Sequence, residues 1–347
     1  MGKVTIQSIA KDLGLSRNTV SMALKGNDLV TPRTRERIMQ YAEKAGYMVP
    51  RSENAVQATA EPAAKPDYQV MILRKPDVAI YWDKIINGIS EEASLNHCRT
   101  QVAVVTQADE ERLRLPPGLN EKLQAVFCVK LMNREYIRKI KQMGIAVFLF
   151  DDYVDTGNEM MGDTVKTLSF QPVMELTRHL LGQGMRKIGF LNDGSGLYES
   201  MHDRYMGYLY AMEGAGAEPV PQYVIPDVEC DNFYSAENFA RIVDGFDELP
   251  EAMVCGNDQI AVGLTRALRG RGIRVPEDVA ITGFDNDEEG ALDPFFTTVN
   301  VDAKWLGRRM TQCFLWRMQN PDAPYEKIVV SGQVILRRSS CQRIKTE

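Results

Sequence analysis

From Tyr68 onward the chain alternates short apolar runs with longer amphipathic stretches, and this alternation limits its possible folds more than any other feature. The runs at 69–73, 101–105, 125–129, 145–150, 187–191, 223–225, 252–255 and 279–282 have strand length and apolar character. Segments with helical periodicity lie between them, for example at 84–96, 134–143, 171–182, 203–213, 236–244 and 259–271. Strands alternating with helices form parallel sheets covered by helices, with ligands bound beyond the C-terminal strand ends. Roughly 280 residues of this pattern suffice for two such lobes with a cleft between them.

The first fifty residues follow a different rule. Thr5 is placed to cap a helix whose apolar positions are Ile6, Ile9, Ala10 and Leu13, and Gly14 ends it. Ser16 caps a second helix with Val20, Ala23 and Leu24 facing inward. Thr31-Pro32 opens a third, with Ile38, Ala42 and Ala45 on its inner face. A helix, a tight glycine turn and a second helix form the helix-turn-helix pattern. In that motif the second helix enters the major groove, with its first residues nearest the base edges. Those residues are Arg17, suited to guanine O6/N7, and Asn18, suited to adenine N6/N7. Ser16, Thr19, Ser21 and Asn27 are short polar side chains able to hold phosphates. Charge agrees with this division. Residues 1–51 carry nine Lys or Arg against four acids, a head of +5 in a chain of net charge -6.

The head strings VTIQSIAKDLGLSRNTVSMALKG (4–26) and VTPRTRERIMQYAEKAGY (30–47) resemble the lactose-repressor (LacI/GalR) family. The resemblance implies a homodimeric transcription regulator, acting as a repressor, on a pseudo-palindromic double-stranded DNA operator. It places base reading on Arg17, Asn18 and Met22. Met22 departs from the arginine common there and can meet a thymine methyl but not hydrogen-bond guanine. The family's next stretch, a hinge helix with a leucine wedge, has no counterpart in residues 48–58, and Pro62 and Pro66 read as an extended linker.

The resemblance continues through the body, at GMRKIGFL (184–191), DRYMGY (203–208), PEAMVCGNDQIAVG (250–263), GIRVPEDVAITGFDN (272–286), FTTV (296–299) and LRRSS (336–340). It implies an all-α head on an α/β effector domain resembling periplasmic sugar-binding proteins. The expected divisions are a head over 1–50, a linker over 51–67 and an effector-binding, dimerising body over 68–347. The body's first lobe is expected at about 68–168 plus 299–327, and its second at about 169–298 plus 328–340. Asp151, Asn257 and Asp285 each follow an expected strand and suit vicinal hydroxyls, while Arg204 offers a planar fork of donors. Phe233, Tyr81 and Trp82 are expected to stack on the effector, and Asp258 to cap its helix. The effector is expected to be a carbohydrate or a sugar derivative. The charged loop Arg74-Lys75-Pro76-Asp77 leaves a sugar phosphate or sugar acid open, and a nucleobase stands behind these.

Other classes are excluded in turn. No P-loop, G-x-G-x-x-G, H-E-x-x-H or Ser-His-Asp spacing points to an enzyme. The string DNDEEG at 285–290 begins like a calcium loop, but its twelfth position is Phe296, so neither metal nor cofactor is expected. The six cysteines form no C-x-x-C pair and read as reduced thiols of a cytoplasmic protein. No apolar run is long enough for a membrane span, and residues 1–16 lack a signal-peptide core.

Overall fold

The computed structural model describes residues 5–24, 30–45, 67–76, 80–130, 132–154, 159–193, 198–225, 233–287 and 294–341. The chain divides into two units, Met1–Lys65 and Pro66–Glu347, so the boundary falls inside the expected linker. Whether a hinge helix forms concerns residues outside the described ones, as does Asn27.

The first unit holds α1 (Ile6–Leu13), α2 (Arg17–Leu24) and α3 (Pro32–Lys44). Thr5 Oγ1 accepts the Ser8 N–H and Ser8 Oγ accepts the Thr5 N–H, a reciprocal cap on α1. Gly14 ends the helix at φ +65°, a conformation costly for any residue with a Cβ. Ile9, Val20 and Ile38, one from each helix, are fully buried together. Tyr41 donates to Asp12 at 2.8 Å and ties α3 to α1.

The second unit begins with β1 (Gln69–Arg74), α4 (Ile80–Leu95), β2 (Arg99–Val104), α5 (Gln107–Glu111), β3 (Ala125–Cys128), α6 (Arg134–Gln142), β4 (Ala146–Phe150) and β5 (Asp163–Thr167). It continues with α7 (Phe170–Gly182), β6 (Ile188–Leu191), α8 (Glu199–Gly214), β7 (Val224–Ile225), α9 (Ala236–Asp244), β8 (Ala252–Cys255), α10 (Asp258–Arg269) and β9 (Ala280–Thr282). It closes with β10 (Thr298–Asn300), α11 (Ala303–Gln319), β11 (Lys327–Val330) and β12 (Gln333–Ile335).

The first lobe is a parallel six-stranded sheet in the order β11-β5-β4-β3-β1-β2. On one face α4 and α11 meet backbone to backbone. A Cβ on Gly88 would stand 2.0 Å from the Lys304 carbonyl oxygen, and one on Gly307 2.0 Å from that of Ile85. Phe314 of α11 packs edge-on against Phe127 and Phe148 of the sheet. Tyr136, Ile137 and Ile140 of α6 are buried with the opposite face.

The second lobe is a parallel four-stranded sheet in the order β7-β6-β8-β9. Alternate residues of β8 face opposite ways, Ala252 and Val254 into the core shared with α7 and α8, Met253 and Cys255 into the core of α9 and α10. The chain crosses between lobes after β5, after β10 and after β11. One expected boundary moves. Residues 328–330, assigned above to the second lobe, pair with β5 and complete the first lobe's sheet, and the return follows in β12, antiparallel to β10.

Candidate functional site

The head presents a polar surface at the start of α2. Ser16 Oγ lies 2.8 Å from Thr19 Oγ1 and accepts the Thr19 N–H at 3.0 Å, so Ser16 caps the helix. Arg17 and Asn18 follow immediately and are exposed. A capped N-terminus with a cation beside it attracts phosphate and aims the next side chains outward. Thr19 and Ser21 are half-buried, and Met22 leans on the head's core. Thr5 is exposed, with its hydroxyl occupied by Ser8.

In the body, the predicted residues gather at the C-terminal strand ends. Asp285 follows β9 at φ +97° and Asp151 follows β4 at φ +70°, a left-handed backbone that non-glycine residues rarely adopt and that clusters at functional sites. Arg204, on α8, is buried. Its guanidinium donates to the Gly256 carbonyl, meets Asp285 Oδ1 at 3.5 Å and covers the Phe284 ring at 3.7 Å. Burial pushes the Asp285 carboxyl up to about 6, against the pull of Arg204, and Asp287 and Asp193 add to the rise.

Tyr81 and Trp82 open α4 in the first lobe, 5.2 Å apart and edge-on, each against Phe150. Burial raises the Tyr81 phenol well above its ordinary range, and the Asp285 carboxylate of the second lobe adds to the rise. Asp151 also reaches across. Its carboxylate accepts both the N–H and the hydroxyl of Ser200, at the first turn of α8. Burial outweighs these bonds and raises Asp151 above the usual carboxylate range.

Three expectations change. Phe233 is 5% exposed and packs with Phe239 in the lobe's core, so its ring is committed there. The neighbouring Tyr234 takes the polar role, its hydroxyl donating to Asp193 at 2.7 Å and accepting from Asn257 at 2.9 Å. The cap of α10 is Asn257, accepting the Ile260 N–H at 2.9 Å, and not Asp258. Asp258 instead accepts from Thr298 Oγ1 and the Asp287 N–H, each at 2.8 Å, and binds the strand ends together. The charged loop is also neutralised, since Arg74 pairs with Asp83 at 3.0 Å and Lys75 with Glu110.

Sequence reading missed a chain of charges between the lobes. Lys166 of β5 meets Asp203 at 2.7 Å and Glu199 at 3.3 Å, both on α8. Lys327 of β11 meets the same Glu199 at 2.7 Å and Asp152 at 2.9 Å. Although burial works against it, the two ammonium groups hold Glu199 below its ordinary range. Apart from Asp203, which opens the DRYMGY string, no motif marked these positions, because the charges come from β5, β11, α8 and the turn after β4.

Comparison with known proteins agrees with this geometry. The profile of bacterial regulatory proteins of the lacI family matches residues 5–49, and that of the periplasmic binding protein-like domain matches residues 177–340. The HTH-type transcriptional repressor PurR of Haemophilus influenzae (strain PittEE) is 27% identical over 345 residues, covering 96% of this chain and 98% of that protein. Among solved structures, a complex of the transcriptional regulator CelR with cellobiose superposes with a TM-score of 0.67 at 20% identity, covering 97% of this chain and 100% of that one. The lac repressor dimer bound to operator and the anti-inducer ONPF gives 0.66 at 17% identity, covering 98% and 99%. The chain belongs to the lacI family of bacterial regulatory proteins and is a DNA-binding transcriptional regulator with an effector-binding domain.

Proposed function

We propose that the protein is a homodimeric repressor whose two heads read a pseudo-palindromic operator and whose body binds a sugar or sugar derivative between its lobes. The observation that carries the DNA half is the exposed pair Arg17 and Asn18 on the first turn of α2, behind the Ser16 cap. Arg17 and Asn18 read bases, and Met22 offers a methyl contact where its side chain leaves the core. Ser16, Thr19, Ser21, Thr5 and Asn27 hold the backbone phosphates. Repression is supported by the name of the PurR relative, and a carbohydrate by the cellobiose of the CelR complex.

The effector site consists of Arg204, Asp285, Asp151, Asn257, Tyr81 and Trp82, with Tyr234 in the place expected for Phe233. The side chains come from both lobes, so a ligand that touches them all favours one lobe arrangement over another. The reading assigns the body no catalysis. Dimerisation is supported by the edge strand β2, where Val102 and Val104 are 53% and 51% exposed. An apolar sheet edge of this kind is ordinarily covered.

Selection from a random duplex library tests the DNA half. The wild-type chain should enrich a two-fold symmetric site. Arg17→Ala should weaken binding to that site by about 5- to 150-fold, the worth of one bidentate base contact, and keep its salt-sensitive binding to unrelated DNA. Equal affinity of variant and wild type for the selected site would remove Arg17 as a reader.

A further inference from the structure

The second lobe's ligand surface contains a recognition residue that neither the motifs nor the family resemblance marked. Asn192 follows β6 and is 2% exposed. Its Oδ1 is buried and has no hydrogen-bond partner. That oxygen lies over the backbone of Gly256, where a Cβ would stand 2.4 Å from it. Gly256 is also the residue whose carbonyl receives the Arg204 guanidinium. Arg204 directs its terminal nitrogens to Gly256 and Asp285, and its buried Nε–H has no acceptor. Nearby, Asp287 Oδ1 is buried and unpartnered as well.

A buried polar atom without a partner is costly, and such atoms are rare unless a ligand or water completes them. Here the missing partners have a definite character. Asn192 Oδ1 and Asp287 Oδ1 need donors, and Arg204 Nε needs an acceptor. A hydroxyl supplies both, and two vicinal hydroxyls supply both at once. A phosphate or carboxylate supplies lone pairs alone and would turn them on the Asn192 and Asp287 oxygens. Of the cations around the site, Lys84 acts on Asp287 and Lys130 lies over Trp82, while Arg74 is engaged by Asp83, Lys75 by Glu110, Lys166 by Asp203 and Arg204 by Asp285.

We infer that Asn192 is a specificity-determining residue of the effector site, and that with Arg204 Nε it selects a neutral or amino-substituted polyol over a phosphorylated or carboxylated one. This rests on the proposed effector site, but its first test needs no ligand. An unpartnered acceptor penalises the empty protein, so Asn192→Leu, close in size, should raise its Tm by about 2 °C or more. If Asn192 were a structural hydrogen-bonding residue, the variant would melt at or below wild type, and the inference would fall. The second test is a thermal-shift panel of D-ribose, D-glucose and cellobiose, beside glucosamine, ribose 5-phosphate, glucose 6-phosphate and gluconate. A neutral or amino compound should raise the wild-type Tm more than its anionic counterpart, and Asn192→Leu should lose that shift. A larger shift with an anionic compound would overturn the charge preference. Silence across the whole panel would count against the polyol reading of the site itself, while the ligand-free result would still decide whether the Asn192 oxygen is unsatisfied.

Discussion

Asp285 shows how one residue serves both the fold and the site. Its carboxyl is held at about 6, above the ordinary 3.8, chiefly because it is buried. A carboxyl raised in the folded state contributes stability while protonated. That contribution is complete below about pH 4 and is lost as pH rises through about 6. Asp285→Asn has no proton to lose, and Arg204 stays charged throughout. The Tm of the variant relative to wild type should therefore climb between pH 4.5 and 7.5, by the equivalent of up to about 3 kcal/mol. A difference that stays flat over this range would contradict the assignment. At this scale much was legible in the sequence. Arg17 and Asn18 follow the cap of α2 and Asn257 and Asp285 follow strand ends, as the pattern reveals, while Arg204 was singled out inside α8 by the DRYMGY string. Phe233 and Tyr234 were not separable, because neighbouring aromatics in a turn point to opposite sides and only packing against Phe239 decides which one turns inward.

Helix α8 is the element on which the lobes meet. Its first turn receives the Asp151 carboxylate from the first lobe, and the Glu199 N–H donates to the Asp152 carbonyl at 2.8 Å. Lys166, its side chain 4% exposed, lies under Glu199 and Asp203. Removing one partner from a buried ion pair costs about 3–5 kcal/mol. In Lys166→Met the amides of Glu199 and Ser200 should exchange with deuterium at least about tenfold faster, since each 1.4 kcal/mol is a factor of ten. The buried amides of β1 should be unaffected. Unchanged exchange at 199–200 would show that the ionic chain does not hold α8 against the first lobe. The elements missed from sequence are those whose character contradicts their place. Strand β5 reads DTVKT and is buried throughout, with Asp163 satisfied by Arg317 at 2.7 Å and Lys166 by α8. A buried strand carrying two charges shows no apolar run, and its partners lie 154 and 37 residues away.

In the body as a whole, three crossovers join two parallel sheets. The alternation of strands and helices made this architecture readable, and the family strings located the second lobe's strand ends. The exact partition was not readable, because β11 pairs in the first lobe only three residues before the chain turns back into β12. In the proposed mechanism, a polyol closing on Arg204 and Asp285 changes how tightly the heads hold DNA. The direct measurement is fluorescence anisotropy of the full chain on its selected duplex, with and without the compound that gives the largest thermal shift. Wild type should show at least about a fivefold change in affinity, the scale of a coupling near 1 kcal/mol. Arg204→Ala should show none and still bind the duplex as wild type does. Equal affinity with and without the compound, or an Arg204→Ala chain that responds as fully as wild type, would contradict this mechanism.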